Sequence, residues 1–209
     1  MYYIFIDNNK INGCGQCRQL TEGVINYEVT QDIFEDFMKY PTKYIYKDGE
    51  VVLSDTYDLE QAEIKRNYLI EELNYGLKAK YAYTGVLFDY NGIELIFETN
   101  NNSIALINST FLNLLANPTI TEVSNWKCRT TNEPYSPVSV TFTSDQFKTI
   151  VGFGQNMITQ AFAIEDSNNV KIKELTTDNL LNNEFILQFE EEIKNSYNSL
   201  NIKIENLFE

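Results

Sequence analysis

The sequence predicts an α+β fold: two small β-hairpin-plus-helix modules joined by an amphipathic helix, with a helix at the C-terminus. Three observations carry this expectation. Asp48-Gly49 and Asn91-Gly92 each separate two short apolar runs, and both dipeptides favour the tight turn in which both central residues take positive φ. Between Leu59 and Leu77, apolar residues recur at spacings of three and four, the period of one helix face. Thr143-Ser144-Asp145-Gln146 reads as a capping box ahead of a long helical pattern.

Taken in order, residues 2–6 (Tyr-Tyr-Ile-Phe-Ile) form a β-prone run, followed by turn chemistry at Asp7-Asn8-Asn9-Lys10 and extended chain at Ile11-Asn12-Gly13. Val24 to Thr30 alternates as a strand. Thr30 can cap a short helix over Asp32 to Met38, with Ile33, Phe34 and Phe37 inside. Tyr44-Ile45-Tyr46 and Val51-Val52-Leu53 pair across the Asp-Gly turn. Residues 1–55 are thus a small β-rich module. Residues 56–80 are the connector helix, with Leu59, Ala62, Arg66, Leu69, Leu73 and Leu77 on one stripe widened by Ile70.

Residues 81–164 form the second module. Gly85 to Tyr90 and Ile93 to Glu98 flank Asn91-Gly92. A helix from Ser103 to Ala116 buries Ile104, Ile107, Phe111, Leu114 and Leu115, and Pro118 ends it. Glu122 to Thr130 carries Trp126 in a strand, with Val138 to Phe142 as its partner. The capped helix then runs from Ser144 to about Ile164. Residues 165–209 are expected to be a helical tail: polar at Glu165-Asp166-Ser167-Asn168-Asn169, then helical from Asp178 to the C-terminus. Ile193, Tyr197, Leu200, Ile204 and Leu207 repeat at 4-3-4-3, the spacing of a coiled-coil seam. These five are the candidate interface with a second copy or a partner.

Charge narrows the function. Sixteen Lys and Arg face thirty Asp and Glu, for a net charge of −14. A duplex nucleic-acid binder needs a basic footprint to displace counterions, and an anionic membrane surface favours the same. Lys39, Lys43 and Lys47 cluster, but Glu35, Asp36, Asp48 and Glu50 surround them. The expectation is no nucleic acid and no membrane. There is no run of eighteen apolar residues, and the N-terminus has no basic leader, so a product made in a cytosol is expected.

Histidine is absent, which removes Ser-His-Asp and Cys-His catalysis and His-ligated metals. Cys14 and Cys17 form a Cys-x-x-Cys, and only Cys128 remains to join them. A zinc site wants two further close ligands, and a redox pair wants a helix N-terminus. Structural cysteines are expected, with Cys14 and Cys17 the metal candidates if a site is shared between subunits. Gly13-x-Gly15 and Gly152-x-Gly154 fall short of a phosphate loop. Glu71-Glu72, Glu165-Asp166 and Glu190-Glu191-Glu192 sit on apparent helix faces or loops, where solvation is the default. No catalytic residue and no cofactor is expected. The aromatic residues, Tyr2, Tyr3, Tyr40, Tyr44 and Tyr46 among them, suit either packing or a protein interface.

The run Val86-Leu87-Phe88-Asp89-Tyr90-Asn91-Gly92-Ile93-Glu94-Leu95, the helix Ser103 to Leu115, Trp126-Lys127, and Val140-Thr141-Phe142-Thr143-Ser144-Asp145-Gln146-Phe147 together resemble a domain family of unknown function, DUF4376. That family occurs in tailed-phage proteins, often in or near tail fibres. The resemblance covers residues 82–164. Residues 1–55 are similar to small N-terminal modules of phage tail and fibre-associated proteins, on the opening strand and the Tyr46-Lys47-Asp48-Gly49-Glu50 hairpin. The resemblance implies no catalytic residues. It implies a structural component of a phage tail at the baseplate or fibre attachment, found in the virion and assembled in the host cytoplasm. The partners it implies are other tail and fibre proteins. The alternatives are a fibre assembly chaperone and a carbohydrate-binding receptor module.

Overall fold

Three two-residue turns set three of the antiparallel pairings. Asn8 and Asn9 (φ 51° and 61°), Asp48 and Gly49 (53° and 90°), and Asn91 and Gly92 (52° and 76°) all lie in the left-handed region. Asn, Asp and Gly tolerate that region, and its twist matches that of the flanking strands. The structure is a computed structural model that describes residues 1–132, 134–200 and 203–208. It is a mixed α+β fold that divides into two units, Met1–Ile64 and Lys65–Glu209.

In the first unit, β1 (Tyr2–Asp7) lies between β2 (Lys10–Gly15) and β3 (Ile25–Val29), antiparallel to both. The Thr30 side chain accepts from Ile33 N and starts α1 (Gln31–Lys39). After a 3₁₀ turn at Pro41–Lys43, β4 (Tyr44–Lys47) and β5 (Glu50–Leu53) form a separate hairpin. Ile4, Ile6 and Phe37 are the buried core, with Tyr27, Tyr44, Tyr46 and Val51 packed around them. Ile33, expected inside, is exposed, because Phe37 and Phe34 take the inner face of α1.

The connector helix is a continuous helical run. α2 (Tyr57–Asn67) begins in the first unit and ends in the second. It passes through a π-helical segment (Tyr68–Asn74) into α3 (Tyr75–Thr84). Gly85 (φ 118°) ends α3 where any Cβ would run into the Phe97 carbonyl oxygen.

The second unit is a five-stranded sheet in the order β10-β6-β7-β8-β9. Its strands are β6 (Val86–Tyr90), β7 (Ile93–Phe97), β8 (Glu122–Thr130), β9 (Pro137–Thr143) and β10 (Lys203–Ile204). Asn100 Oδ1 accepts from Asn102 N and Ser103 N and starts α4 (Asn101–Ala116). Thr143 and Gln146 close the expected capping box on α5. Val86, Phe88, Phe97, Val140, Phe142, Phe147 and Ile150 are fully buried between sheet and helices.

α5 spans Ser144–Glu174, well past Ile164. The polar run 165–169, expected to open a tail, lies inside this helix. Asn168 there is buried and donates to Asn74 Oδ1 and Ser196 Oγ. Local polarity reads as a break when the polar atoms find partners far along the chain. α6 (Thr177–Leu181) and α7 (Asn183–Ser196) follow. The final helix stops at Ser196 rather than running to the C-terminus. A 3₁₀ turn (Asn198–Leu200) and β10, parallel to β6, take its place. Residues 201, 202 and 209 of that expected helix lie outside the described residues.

Candidate interaction face

Each residue expected to act at a site has a place in this fold. Cys14 sits on β2, and its thiol donates to Met38 Sδ at 3.2 Å. Burial pushes the Cys14 thiol up. Cys17 is exposed in the bend after β2, and Cys128 is buried in the core of the second unit, its thiol pushed up to about 12 by burial. Among the described residues, no group of three or more Cys, Asp or Glu gathers as a metal site. Gly13 and Gly15 lie beneath the Phe5 ring, where a Cβ on Gly15 would stand 2.9 Å from Phe5 Cζ. Their role is close packing of a ring on a strand.

Of the carboxylate pairs, Glu71-Glu72 and Asp166 are exposed, while Glu165 and the Glu190–Glu192 run meet lysines of the helical layer. Glu165 meets Lys78 at 3.2 Å with both side chains nearly buried. Glu190 faces Lys65 at 4.0 Å, and Glu192 accepts from Lys171 at 2.6 Å. Lys78 also lies over the Tyr75 and Phe162 rings.

The stripe expected to meet another chain requires a correction. Ile193, Tyr197 and Leu200 are buried within the second unit, Tyr197 with no exposed surface. The Tyr197 ring stacks on Tyr81 at 5.7 Å. Ile204 and Leu207 pack against the sheet core, and Leu207 O accepts from Gln146 Nε2. The reason is the end of α7 at Ser196. Beyond it Ile204 and Leu207 leave helical register, and this chain's own α3, α5 and sheet consume the seam.

Asn74, Asn168 and Tyr197, all buried, form a polar cluster with the half-buried Asn169 and Ser196. Asn74 Nδ2 donates to Glu165 O and Asn169 Oδ1, while its Oδ1 accepts from Asn168 Nδ2 and the Tyr197 hydroxyl. All four bonding positions of the amide are filled. Burial, first, and then Glu165 push the Tyr197 phenol far above its ordinary range. The cluster holds the π segment, α5 and α7 together.

A different surface is unpartnered. Residues 99–121, which contain α4, carry no Asp, Glu, Lys or Arg, and neither do residues 149–164 of α5. The two stretches are neighbours. Ile104, Ile107 and Asn108 of α4 line a groove with Val151, Gln155 and Ile158 of α5. At the other end, Leu114 and Leu115 face Ser144 and Lys148. The helices therefore run antiparallel, side by side. The first groove encloses ≈ 390 Å³. α4 also exposes Leu106, Leu112 and Leu115, at 58%, 63% and 55%, on different sides of the helix, since Leu106 and Leu115 are nine residues apart. Exposed leucines on a helix that carries no charged residue mark α4 as the candidate interaction element. The sequence carried the signal in its charge-free runs. Periodicity alone missed it, because the expected inner face included Leu115 and gave no role to Leu106 and Leu112.

No helix among the described residues is long and apolar enough to cross a membrane. In comparisons with family models, curated proteins and solved structures, the chain matches none.

Proposed function

We propose that this chain is a non-enzymatic structural component of a bacteriophage or phage-like tail, placed at the baseplate or fibre attachment and acting by protein–protein assembly. The observation that carries the assembly reading is the charge-free α4/α5 layer with its exposed leucines, on a chain of net charge −14. Burying such a layer removes apolar surface from water without stripping any ion of its hydration. The tail setting rests on the resemblance of residues 82–164, and places the chain in the virion after assembly in the host cytoplasm. Trp126, on which a sugar-binding reading would rest, stacks on Phe97 at 5.5 Å and meets Phe147 edge-on at 4.9 Å, so it is engaged in packing.

Quantitative mass spectrometry of purified particles tests the reading. A structural component appears at a fixed copy number relative to its neighbours. A chain abundant in the producing cell and missing from finished particles is an assembly chaperone instead.

A further inference from the structure

We propose that Cys14, Cys17 and Met38 form a binding site in the first unit for a soft monovalent metal ion, copper(I). The proposal stands apart from the assembly reading, since α4 and α5 take no part in it. Three observations carry it.

The first is a pair of sulfur atoms that the fold brings together. Cys14 lies on β2 and Met38 in the last turn of α1, 24 residues on, yet Cys14 Sγ stands 3.2 Å from Met38 Sδ. Cys14 is anchored against the core of Ile4, Ile6 and Phe37. Met38 is 64% exposed, so the pair opens to solvent and an ion can reach it. The second is spacing. Cys17 follows at the Cys-x-x-Cys interval, which lets two thiolates chelate one ion. Cys17 lies in the bend after β2 and is exposed, so its side chain is free to turn toward an ion held by the other two. The third is the chemistry of the donors. The chain has no His, and among the described residues no group of three Cys, Asp or Glu gathers. A closed zinc site takes four such ligands. Two thiolates and a thioether are instead the soft donor set that selects copper(I), and a chain of net charge −14 attracts cations. Each thiol releases its proton to solvent as its sulfur bonds the ion. Copper stays in the +1 state throughout, so no electron is transferred.

The test is anaerobic titration of the reduced full-length chain with copper(I), in competition with a chromophoric copper(I) chelator, beside Met38→Leu and Cys17→Ser. Both positions are exposed, so each variant should keep the circular dichroism of the parent. Met38→Leu nearly conserves volume and removes only the thioether. The parent should hold roughly one copper(I) ion per chain, and X-ray absorption should show copper bonded to sulfur alone. Met38→Leu and Cys17→Ser should each lose the ion at a chelator concentration where the parent keeps it. The dependence on Met38 separates a built site from chance capture by exposed thiols. A parent that yields its copper(I) as readily as the two variants overturns the proposal. So does a Met38→Leu or Cys17→Ser chain that holds the ion as firmly as the parent, or a copper spectrum that requires nitrogen or oxygen neighbours.

Discussion

The Tyr197 hydroxyl donates to Asn74 Oδ1 at 2.8 Å, linking residues 123 positions apart in a site closed to water. Asn74 ends the π segment, and Tyr197 follows the last turn of α7. Tyr197→Phe removes one of the two donors to that acceptor, Asn168 Nδ2 remaining, so it should cost the net worth of one hydrogen bond, about 0.5–1.5 kcal/mol. Asn74→Ala strands more partners and should cost more. Urea unfolding should show lower midpoints with an unchanged slope. Truncation before α7 removes Ile193, Tyr197 and Leu200 from the core, so it should unfold the second unit rather than merely alter the oligomeric state.

Gly85→Ala tests the α3–β6 junction. The residue has φ 118°, and the added Cβ meets the Phe97 backbone oxygen and, at 2.9 Å, Glu98 Cα. Neither obstacle is a flexible side chain. Strain in this region combined with a backbone clash should cost about 3 kcal/mol or more, read as a large fall in the thermal midpoint. Gly152→Ala, where a Cβ meets nothing within 4 Å, should be neutral or slightly stabilising.

The local signals in the sequence translated directly. Asp48-Gly49, Asn91-Gly92, the Thr30 cap and the Thr143–Gln146 capping box all act between neighbours, so residue type and spacing suffice to place them. The failures are non-local. Glu165 to Asn169 looks like a linker until Asn74, Ser196 and Lys78 are brought to it. The 4-3-4-3 stripe identified buried residues at Ile193, Tyr197 and Leu200, but periodicity does not say whether the covering surface belongs to the same chain. The α4/α5 face was legible only as an absence of charge, a signal that burial had to confirm as surface.

The three cysteines should differ sharply toward a thiol reagent. Cys17 is exposed and should react first. Cys14, partly covered and bonded to Met38 Sδ, should react more slowly. Cys128 is 2% exposed and its thiol is pushed up to about 12, so it should react only on unfolding, since the thiolate is the nucleophile. Mass spectrometry of alkylated native protein should therefore show two modified sites near neutral pH and three in denaturant.

Alkaline pH should destabilise the fold, through Tyr197, whose phenol is pushed highest, and through two groups that set the lower part of the window. Tyr44 is pushed from its ordinary 10.0 to about 12, first by burial and then by its hydrogen bond to Asp36. Cys128 is pushed from 9.0 to about 12, first by burial and then by Glu98. Both are neutral when protonated, and the unfolded chain ionises them first. Their contribution is complete below about pH 9 and is lost as pH climbs toward 12. Tyr44→Phe should flatten the upper part of that loss in a denaturation series. Asp36 has the opposite sign. The hydrogen bond from Lys43, then that from Tyr44, lowers its pKa, so its contribution is present above the ordinary carboxylate value and fades as pH falls through the lowered one.

The most direct measurement of the assembly claim is the composition of particles made with Leu112→Glu in place of the parent chain. The side chain lies outside the core, so the variant should accumulate as folded protein while its copy number in purified particles falls steeply. Particles carrying the normal number of Leu112→Glu chains, with unimpaired infectivity, would contradict the account.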